Sequence, residues 1–411
     1  MQKRIAIFLL ICALGWVIAV GAEAPSEGLS AELRLRYETA EDSVNDDANA
    51  YTGRLALKWV VGDGMIRPVV EVEHISAFLG EEYNDGGANR KSQYAVIADP
   101  VGTEINQLYV HIGADEPWEL LLGRQELAHR SYPWQRYAGT VSWRQNEQTM
   151  DAIALRYPFN EKFEFQGAYI MNVNRIFGED NPNPTRANFE LDGFMLTSNV
   201  KVQENIDLDL FMFDLAFDEA TTLSSQTIGL RVDGTWPTNT DFDFLYSGEF
   251  AWQQPDTEMF DDTSYRMLSA GITTNGHTIK FKNEFLSSGN GNAFQTPLAT
   301  LHIHQGWTDR FLSTPAEGVS NTSINASGKI SEVKYTLEFN TYSSDEGGYD
   351  FGTEFGAMLS YSWPNESRYL AGWSMGGKFT AFSADTGNVD GTSFNDVTKF
   401  WFWFQRKFTL D

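Results

Sequence analysis

The chain has 411 residues, a formal net charge of −26 and a single cysteine, Cys12. Such acidity excludes nucleic acid as a partner, because a nucleic-acid site needs a positive face. One cysteine near the start excludes disulfides and thiolate metal sites from everything after it.

The first residues read as a secretory leader. Lys3 and Arg4 form a positive head, Ile5 to Val20 is apolar, and Val20-Gly21-Ala22 offers small residues before Glu23. Cleavage is expected after Ala22. The apolar run is short for a membrane anchor, which needs about 20 residues. Cys12 lies in its middle, away from the end where acylation takes place. Residues 1–22 are read as a signal peptide and 23–411 as one outer-membrane domain. Nothing after residue 24 has the length and apolarity of a membrane-spanning helix.

The next segment sets a rhythm. Leu29, Ala31, Leu33, Leu35 and Tyr37 alternate with Ser30, Glu32, Arg34, Arg36 and Glu38. Strict period two means a strand with one apolar and one polar face. The pattern returns with Tyr51, Leu55, Leu57 and Trp59 against Thr52, Arg54 and Lys58. It returns again with Phe163, Phe165, Tyr169 and Met171, and across Phe242 to Trp252. Tight links at 61–64, 113–117, 158–162, 203–205, 236–240, 274–276, 327–329 and 363–367 separate these runs. They alternate with longer polar segments at 39–50, 76–102, 125–148, 173–188, 217–225, 253–264, 287–321, 342–349 and 383–396. Short periplasmic turns and long extracellular loops are the asymmetry of a transmembrane antiparallel β-barrel, here of about 18 strands with both ends periplasmic. A soluble sandwich would need fewer strands and a Val/Ile/Leu-rich face. No fixed-length repeat marks a propeller or solenoid.

Aromatic residues at strand ends (Trp59, Trp118, Tyr157, Trp236, Trp252, Tyr361, Trp363) fit headgroup girdles. The last strand, Lys399 to Phe408, is aromatic on both faces. It resembles the C-terminal signal read by the barrel-assembly machinery, although Thr409, Leu410 and Asp411 follow it.

Three segments resemble the alginate export family of outer-membrane channels. They are Tyr94 to Pro100 with Gly102 to Gln107, Leu122 to Gln125 with Gln135 to Gly139 and Trp143 to Ala152, and Ala293 to His302 with Gln305 to Asp309. Asn172 to Gly178 also fits. The resemblance implies a monomeric barrel of about 18 strands with a loop-narrowed, charged pore, working passively without a cofactor. Its surroundings would be outer-membrane lipid and lipopolysaccharide. The eponymous exporter resembles a polyanion conduit with an arginine-rich constriction, whereas this chain carries fewer basic and more acidic residues. The cargo is therefore open between an anionic polysaccharide such as alginate and small anionic or sugar-derived nutrients taken up through a porin.

Assigning the apolar phase to lipid places Leu33, Leu35, Leu55, Leu57 and Phe165 outside. Arg34, Arg36, Arg54 and Lys58 then point into the lumen, where rings of charge set ion selectivity. The segment 124–144 adds Arg124, Arg130, Arg136 and Arg144. A guanidinium grips carboxylate, sulfate or phosphate bidentately, so this cluster is a candidate anion-binding constriction. The competing reading pairs these arginines with Glu126, Glu147 and Asp151 to hold the loop in place. Glu147 and Asp151 belong to the network under either reading.

Acidic patches such as Asp42/Asp46/Asp47, Glu179/Asp180 and Asp261/Asp262 lack the spacing of a calcium loop and read as solvated surface. His74-Ile75-Ser76 would put a base and a nucleophile on one strand face, but shows no third, orienting group. His302-x-His304 shows no third metal ligand. Neither a metal nor catalysis is expected. A surface enzyme acting on lipid and a structural barrel plugged by its loops stand as the readings from other classes.

Overall fold

The computed structural model describes residues 27–130, 135–140, 143–238, 241–299, 301–385, 388–389 and 392–410. The expected leader over 1–22 lies outside the described residues, as do Tyr132, Pro133 and Trp134 of the arginine-bearing segment.

Period-two alternation becomes one 18-stranded sheet in which every barrel strand pairs antiparallel with its chain neighbours. The strands are β1 (Gly28–Asp42), β2 (Ala48–Val60), β3 (Ile66–Ala77), β4 (Gly102–Ile112), β5 (Glu119–Gln125) and β6 (Thr149–Asn160). Next come β7 (Phe163–Asn174), β8 (Asn188–Gln203), β9 (Ile206–Phe217), β10 (Ser225–Pro237), β11 (Phe242–Pro255) and β12 (Thr263–Thr274). The series ends with β13 (His277–Leu286), β14 (Val319–Ile330), β15 (Val333–Ser343), β16 (Asp350–Ser362), β17 (Trp373–Ala384) and β18 (Val397–Leu410). β18 closes the barrel against β1, in register from Leu29 opposite Leu410 to Asp42 opposite Val397. Closure removes the sheet edges that hydrocarbon would not tolerate.

Side-chain parity follows the sequence. Arg34, Arg36, Thr52 and Arg54 are buried in the barrel, while Leu35, Leu55 and Leu57 between them are exposed on the outside. The same outward phase carries Leu108, Ile153, Phe244, Phe250, Ile279, Phe281, Phe339 and Phe355. An exposed apolar belt of this kind needs lipid as its solvent. Trp59 and Trp236 stand outward beside the short turns, as girdle residues do.

Strands run further than the sequence marked them: β1 reaches Asp42, inside the segment read as a loop from residue 39. The turn expected at 327–329 falls instead between Ile330 and Val333. Gly328 looked like turn chemistry, but it makes room for a neighbour. A Cβ there would meet His277 Nδ1 at 2.4 Å. Ser331 supplies the turn, at φ +53°.

Three long loops fold into the barrel. Segment 78–101 packs Tyr83, Ala95 and Ile97 against Ala40, Ala48 and Ala50 of β1 and β2. Segments 126–148 and 287–318 place Tyr137, Ala138, Phe294 and Leu298 against Ile170, Phe211, Phe213, Tyr265 and Met267 on the inner wall of β7 to β12. That apolar cluster fills one side of the lumen. Open space is left on the side bounded by β1 to β4 and β18.

Candidate functional site

Two chambers occupy the open side. One, of about 490 Å³, is lined by Arg34, Arg36, Arg54 and Lys58 with Glu32, Glu71, Glu126 and Glu147. The other, of about 420 Å³, lies nearer the long loops and is lined by Arg144, Arg186, Arg310, His302 and Asp309 with Ile176, Phe177, Leu301 and Leu312. Trp143 lines both. It is the septum between them.

The wall arginines are held by carboxylates. Arg34 donates to Gln405 Oε1 at 3.1 Å, to Glu32 at 3.0 Å and to the Arg144 carbonyl at 3.1 Å. Arg36 bonds the Trp143 carbonyl and the Asp99 carboxylate. Arg54 meets Glu73 at 2.8 Å, Glu32 at 3.3 Å, Glu71 at 3.4 Å and Glu147 at 3.5 Å. Lys58 reaches Gln107 at 3.3 Å and Glu71 at 3.6 Å. Fixed donors and acceptors crossing at this density narrow the lumen and set its field together.

The segment carrying the other arginines crosses the lumen and is pinned on arrival at each wall. Arg130 pairs with Asp209 of β9 at 2.9 Å and Glu249 of β11 at 3.3 Å. Arg136 donates to Glu284 of β13 at 2.6 Å and Gln305 at 3.2 Å. Arg144 forks onto Glu38 of β1 at 2.9 and 3.0 Å and reaches Asp309 at 3.1 Å. Arg130, Arg136 and Arg144 thus meet wall and loop groups from elsewhere in the chain, whereas of the expected local pairings Arg124 with Asp151 does form.

Arg124 and Asp151 need a correction. They pair at 2.9 Å, but Arg124 lies opposite outward-facing Leu108, and Asp151 shares the phase of outward-facing Ile153 and Leu155. The pair therefore stands on the outer face at the extracellular ends of β5 and β6. A one-residue offset at a strand end reverses a side chain's face, and a loop boundary drawn at 125 hid that offset. Of the residues singled out in the sequence, Arg34, Arg36, Arg54, Lys58 and Glu147 come together in one chamber and Arg144 lines the other. Arg130 and Arg136 anchor the loop on the far wall.

The sequence reading missed Asp99, Asp309 and Lys378 as site residues. Asp99 has no exposed surface, accepts the Gln145 N–H at 3.0 Å and faces Arg36. Burial opposes its ionisation, but Arg36 and Arg144 hold it below the usual carboxylate range. Asp309 receives His302 Nδ1 at 2.6 Å, Lys399 at 2.8 Å and Arg144 at 3.1 Å. Burial again works against the charge, yet these neighbours hold its carboxyl well below the usual range. Burial takes His302 down to about 3, so the ring is neutral. Its Nδ1–H then serves Asp309, and its Nε2 accepts from Lys378 Nζ at 2.7 Å. Desolvation by the surrounding wall and the nearby Glu147 carboxylate push Glu126 up to about 8.

His74 and Ser76 sit on the outward phase of β3, where Ser76 Oγ lies 2.8 Å from His74 Nε2 and Thr103 Oγ1 lies 2.7 Å from Nδ1. The three polar groups satisfy one another on the outer face, near the loop ends of β3 and β4. His304 is buried near Arg136 and Glu284. Among the described residues, no group of His, Cys, Asp and Glu is arranged to hold a metal.

A closed 18-stranded antiparallel barrel with an apolar outer belt and a charged, loop-narrowed lumen is an outer-membrane β-barrel. Solved structures of the Occ/Opd outer-membrane porins share this fold. Acinetobacter baumannii OccAB4 superposes with a TM-score of 0.71 at 10% identity, over 94% of this chain and 99% of that one. Pseudomonas aeruginosa OpdQ gives 0.68 at 12% identity, over 93% and 99%. Acinetobacter baumannii OccAB3 gives 0.67 at 16% identity, over 92% and 99%. At such identities the likeness is one of fold. No family profile matches the sequence, and no curated protein matches it either. The fold neighbours are therefore porins of the Occ/Opd group, and the alginate export resemblance rests on its three segments alone.

Proposed function

We propose that this barrel is a passive uptake channel for small anionic or sugar-derived solutes. The observation that carries the reading is the charge of the lumen in a chain of net charge −26. The larger chamber sets Arg34, Arg36, Arg54, Lys58 and Lys407 against four carboxyls, Glu32, Glu71, Glu126 and Glu147. The smaller sets Arg144, Arg186, Arg310 and Lys399 against Glu41, Asp42 and Asp309. Among the side chains that line it, each chamber has one more cation than carboxyl, with Asp99, Glu73 and Glu38 set behind Arg36, Arg54 and Arg144, although the outer loops are strongly acidic. Charge at a narrow point surrounded by protein governs permeation far more than charge spread over an exterior in water.

Size supports small solutes over a polymer. Chambers of 490 and 420 Å³ lie within the ~300–1,000 Å³ typical of small-molecule sites. A polysaccharide such as alginate would need to pass Trp143 as a continuous thread, with an apolar plug filling the rest of the lumen. One chain encloses the whole lumen, so a monomer is a complete channel in lipid. The likeness to porins of the Occ/Opd group favours transport over surface catalysis.

The test is planar-bilayer reversal potential in a salt gradient, paired with liposome swelling. Preference for chloride over potassium and swelling with small sugar acids are expected. Cation preference, or no swelling with any small solute, would overturn the reading.

A further inference from the structure

Lys378 sits on the inner face of β17 with 3% of its surface exposed. Its ammonium lies 4.1 Å from the ring centroid of Trp143, 4.0 Å from that of Trp307 and 5.2 Å from that of Trp401. The three rings come from three separate places: segment 126–148, segment 287–318 and β18. A cation held against indole faces away from water is strongly attracted to them. The same ammonium donates to His302 at 2.7 Å, and His302 stacks on Trp143 with centroids 4.7 Å apart and planes 8° from parallel.

What else holds the Trp143 indole is limited. Its ring N–H is buried without a hydrogen-bond partner among the described residues. The edges of Trp401 and Trp403 meet it at 5.6 and 5.7 Å. Arg36 secures its carbonyl, which fixes the backbone, and its guanidinium also lies over the ring. The indole is therefore held by ring faces, and Lys378 is the nearer of the two cations set against it, at 4.1 Å from the ring centroid against 5.8 Å for Arg36. Gly356 completes the arrangement on the wall side, because a Cβ there would stand 2.7 Å from Trp307.

We infer that Lys378 is the positioning residue of the channel: its ammonium holds Trp143 between the two chambers and so sets the aperture through which solutes pass. The inference rests on the reading of the lumen as a passage. Lys378 itself lines neither chamber, and its effect on permeation runs through Trp143, Trp307 and His302. Because the cage gathers a ring from each of the two loops, losing the cation loosens both rings at once, while the loops keep their other anchors.

The test is single-channel conductance of the refolded mature barrel in symmetrical potassium chloride. Variants would be Lys378→Met, Lys378→Arg, Trp143→Ala and the double variant Lys378→Met/Trp143→Ala. Folding would be checked by heat-modifiable mobility. Lys378→Met is expected to raise conductance at least twofold, and Trp143→Ala at least as much. The double variant should conduct no more than Trp143→Ala alone. Lys378→Arg keeps the charge against the rings and should stay within a factor of 1.5 of the parent. A bystander lysine of the wall would show neither that rescue nor that lack of additivity.

Unchanged conductance in Lys378→Met with an increase in Trp143→Ala overturns the inference, as does strict additivity of the two. Lys378→Gln, which keeps a hydrogen-bonding end without the charge, is the second variant should methionine prevent folding. If neither folds while Trp143→Ala does, Lys378 is a residue of barrel assembly and the inference fails. Conductance in salt reads the aperture whatever solute is carried, so the anion reading stands or falls separately on reversal potential.

Discussion

Arg36 of β1 and Asp99 of segment 78–101 form an ion pair inside the barrel, with both side chains shut away from water. The pair fastens a loop to the wall beside Trp143, whose carbonyl the same arginine holds. Removing one partner of a buried pair leaves the other charge uncompensated, at about 3–5 kcal/mol. Arg36→Met should therefore lower unfolding free energy in urea by that order. Replacing both, as Arg36→Met/Asp99→Leu, should recover a good part of the loss. A single variant as stable as the parent would show that water reaches the pair.

Arg136 and Lys58 separate folding from selectivity. Arg136 is buried against Glu284 on the far wall and lines neither chamber. Arg136→Gln should reduce folded yield and leave the reversal potential where it was. Lys58 lines the larger chamber, with its side chain 28% exposed. Lys58→Gln should shift the reversal potential towards cations at a stability cost below about 1 kcal/mol, as for other exposed pairs. The opposite pattern would move the passage to the β9–β13 side.

Glu126 should make anion preference depend on pH. Its carboxyl is pushed up to about 8 by desolvation and by Glu147, with Glu71 adding to the rise and Lys58 opposing it. Below that pH it is neutral, and above it adds a negative charge to the larger chamber. Anion preference should fall as pH rises from 7 to 9 in the parent, and Glu126→Gln should flatten the curve. A parent profile that is flat over this range would refute the assignment.

Much of the barrel was legible from the chain. Strict alternation around Arg34 and Leu35, and short links set between long ones, determine strand number and face because a barrel has only two phases to assign. The lumenal network was less legible, because its partners lie far apart in sequence. Arg144 and Glu38 are separated by 106 residues and Arg136 and Gln305 by 169. Local spacing favours a nearby acid for each arginine; closure of the barrel supplies a distant one. The signal nearest to the truth was the set of family-like segments, which contain Asp99, Trp143, Arg144, Trp307 and Asp309 together. Lys378 carried no signal beyond its parity in β17, since an aromatic cage drawn from three segments leaves no local trace.

Parity itself can be measured by cysteine labelling, since the chain's own Cys12 lies in the expected leader. Leu57 faces outward and Lys58 lines the larger chamber. A membrane-impermeant maleimide should modify Lys58→Cys several-fold faster than Leu57→Cys in reconstituted vesicles. A lipid-soluble maleimide should reverse the order. Equal rates with both reagents would mean that the β2 register is wrong.

Glu354 of β16 fastens the third inward loop by a different device. Its carboxylate accepts the backbone N–H groups of Trp307 and Thr308, the Thr308 hydroxyl, and the Thr380 hydroxyl at 2.8 Å. No cation is among these partners, so the carboxylate acts as an acceptor for a loop backbone that would otherwise be unpaired. Glu354→Ala leaves those buried donors unsatisfied, at about 1–3 kcal/mol each. Thr380→Val removes one hydroxyl and should cost only about 1 kcal/mol. The sheet hydrogen bonds are untouched in both, so heat-modifiable mobility should persist. Protease cleavage within 287–318 should rise at least tenfold in Glu354→Ala and less than threefold in Thr380→Val. Channel current should become noisier in the first variant, because Glu354 accepts the Trp307 backbone N–H directly and Trp307 shares the Lys378 ammonium with Trp143. If the loop stays protected in Glu354→Ala, its anchorage lies in the Arg136 and Asp309 contacts instead.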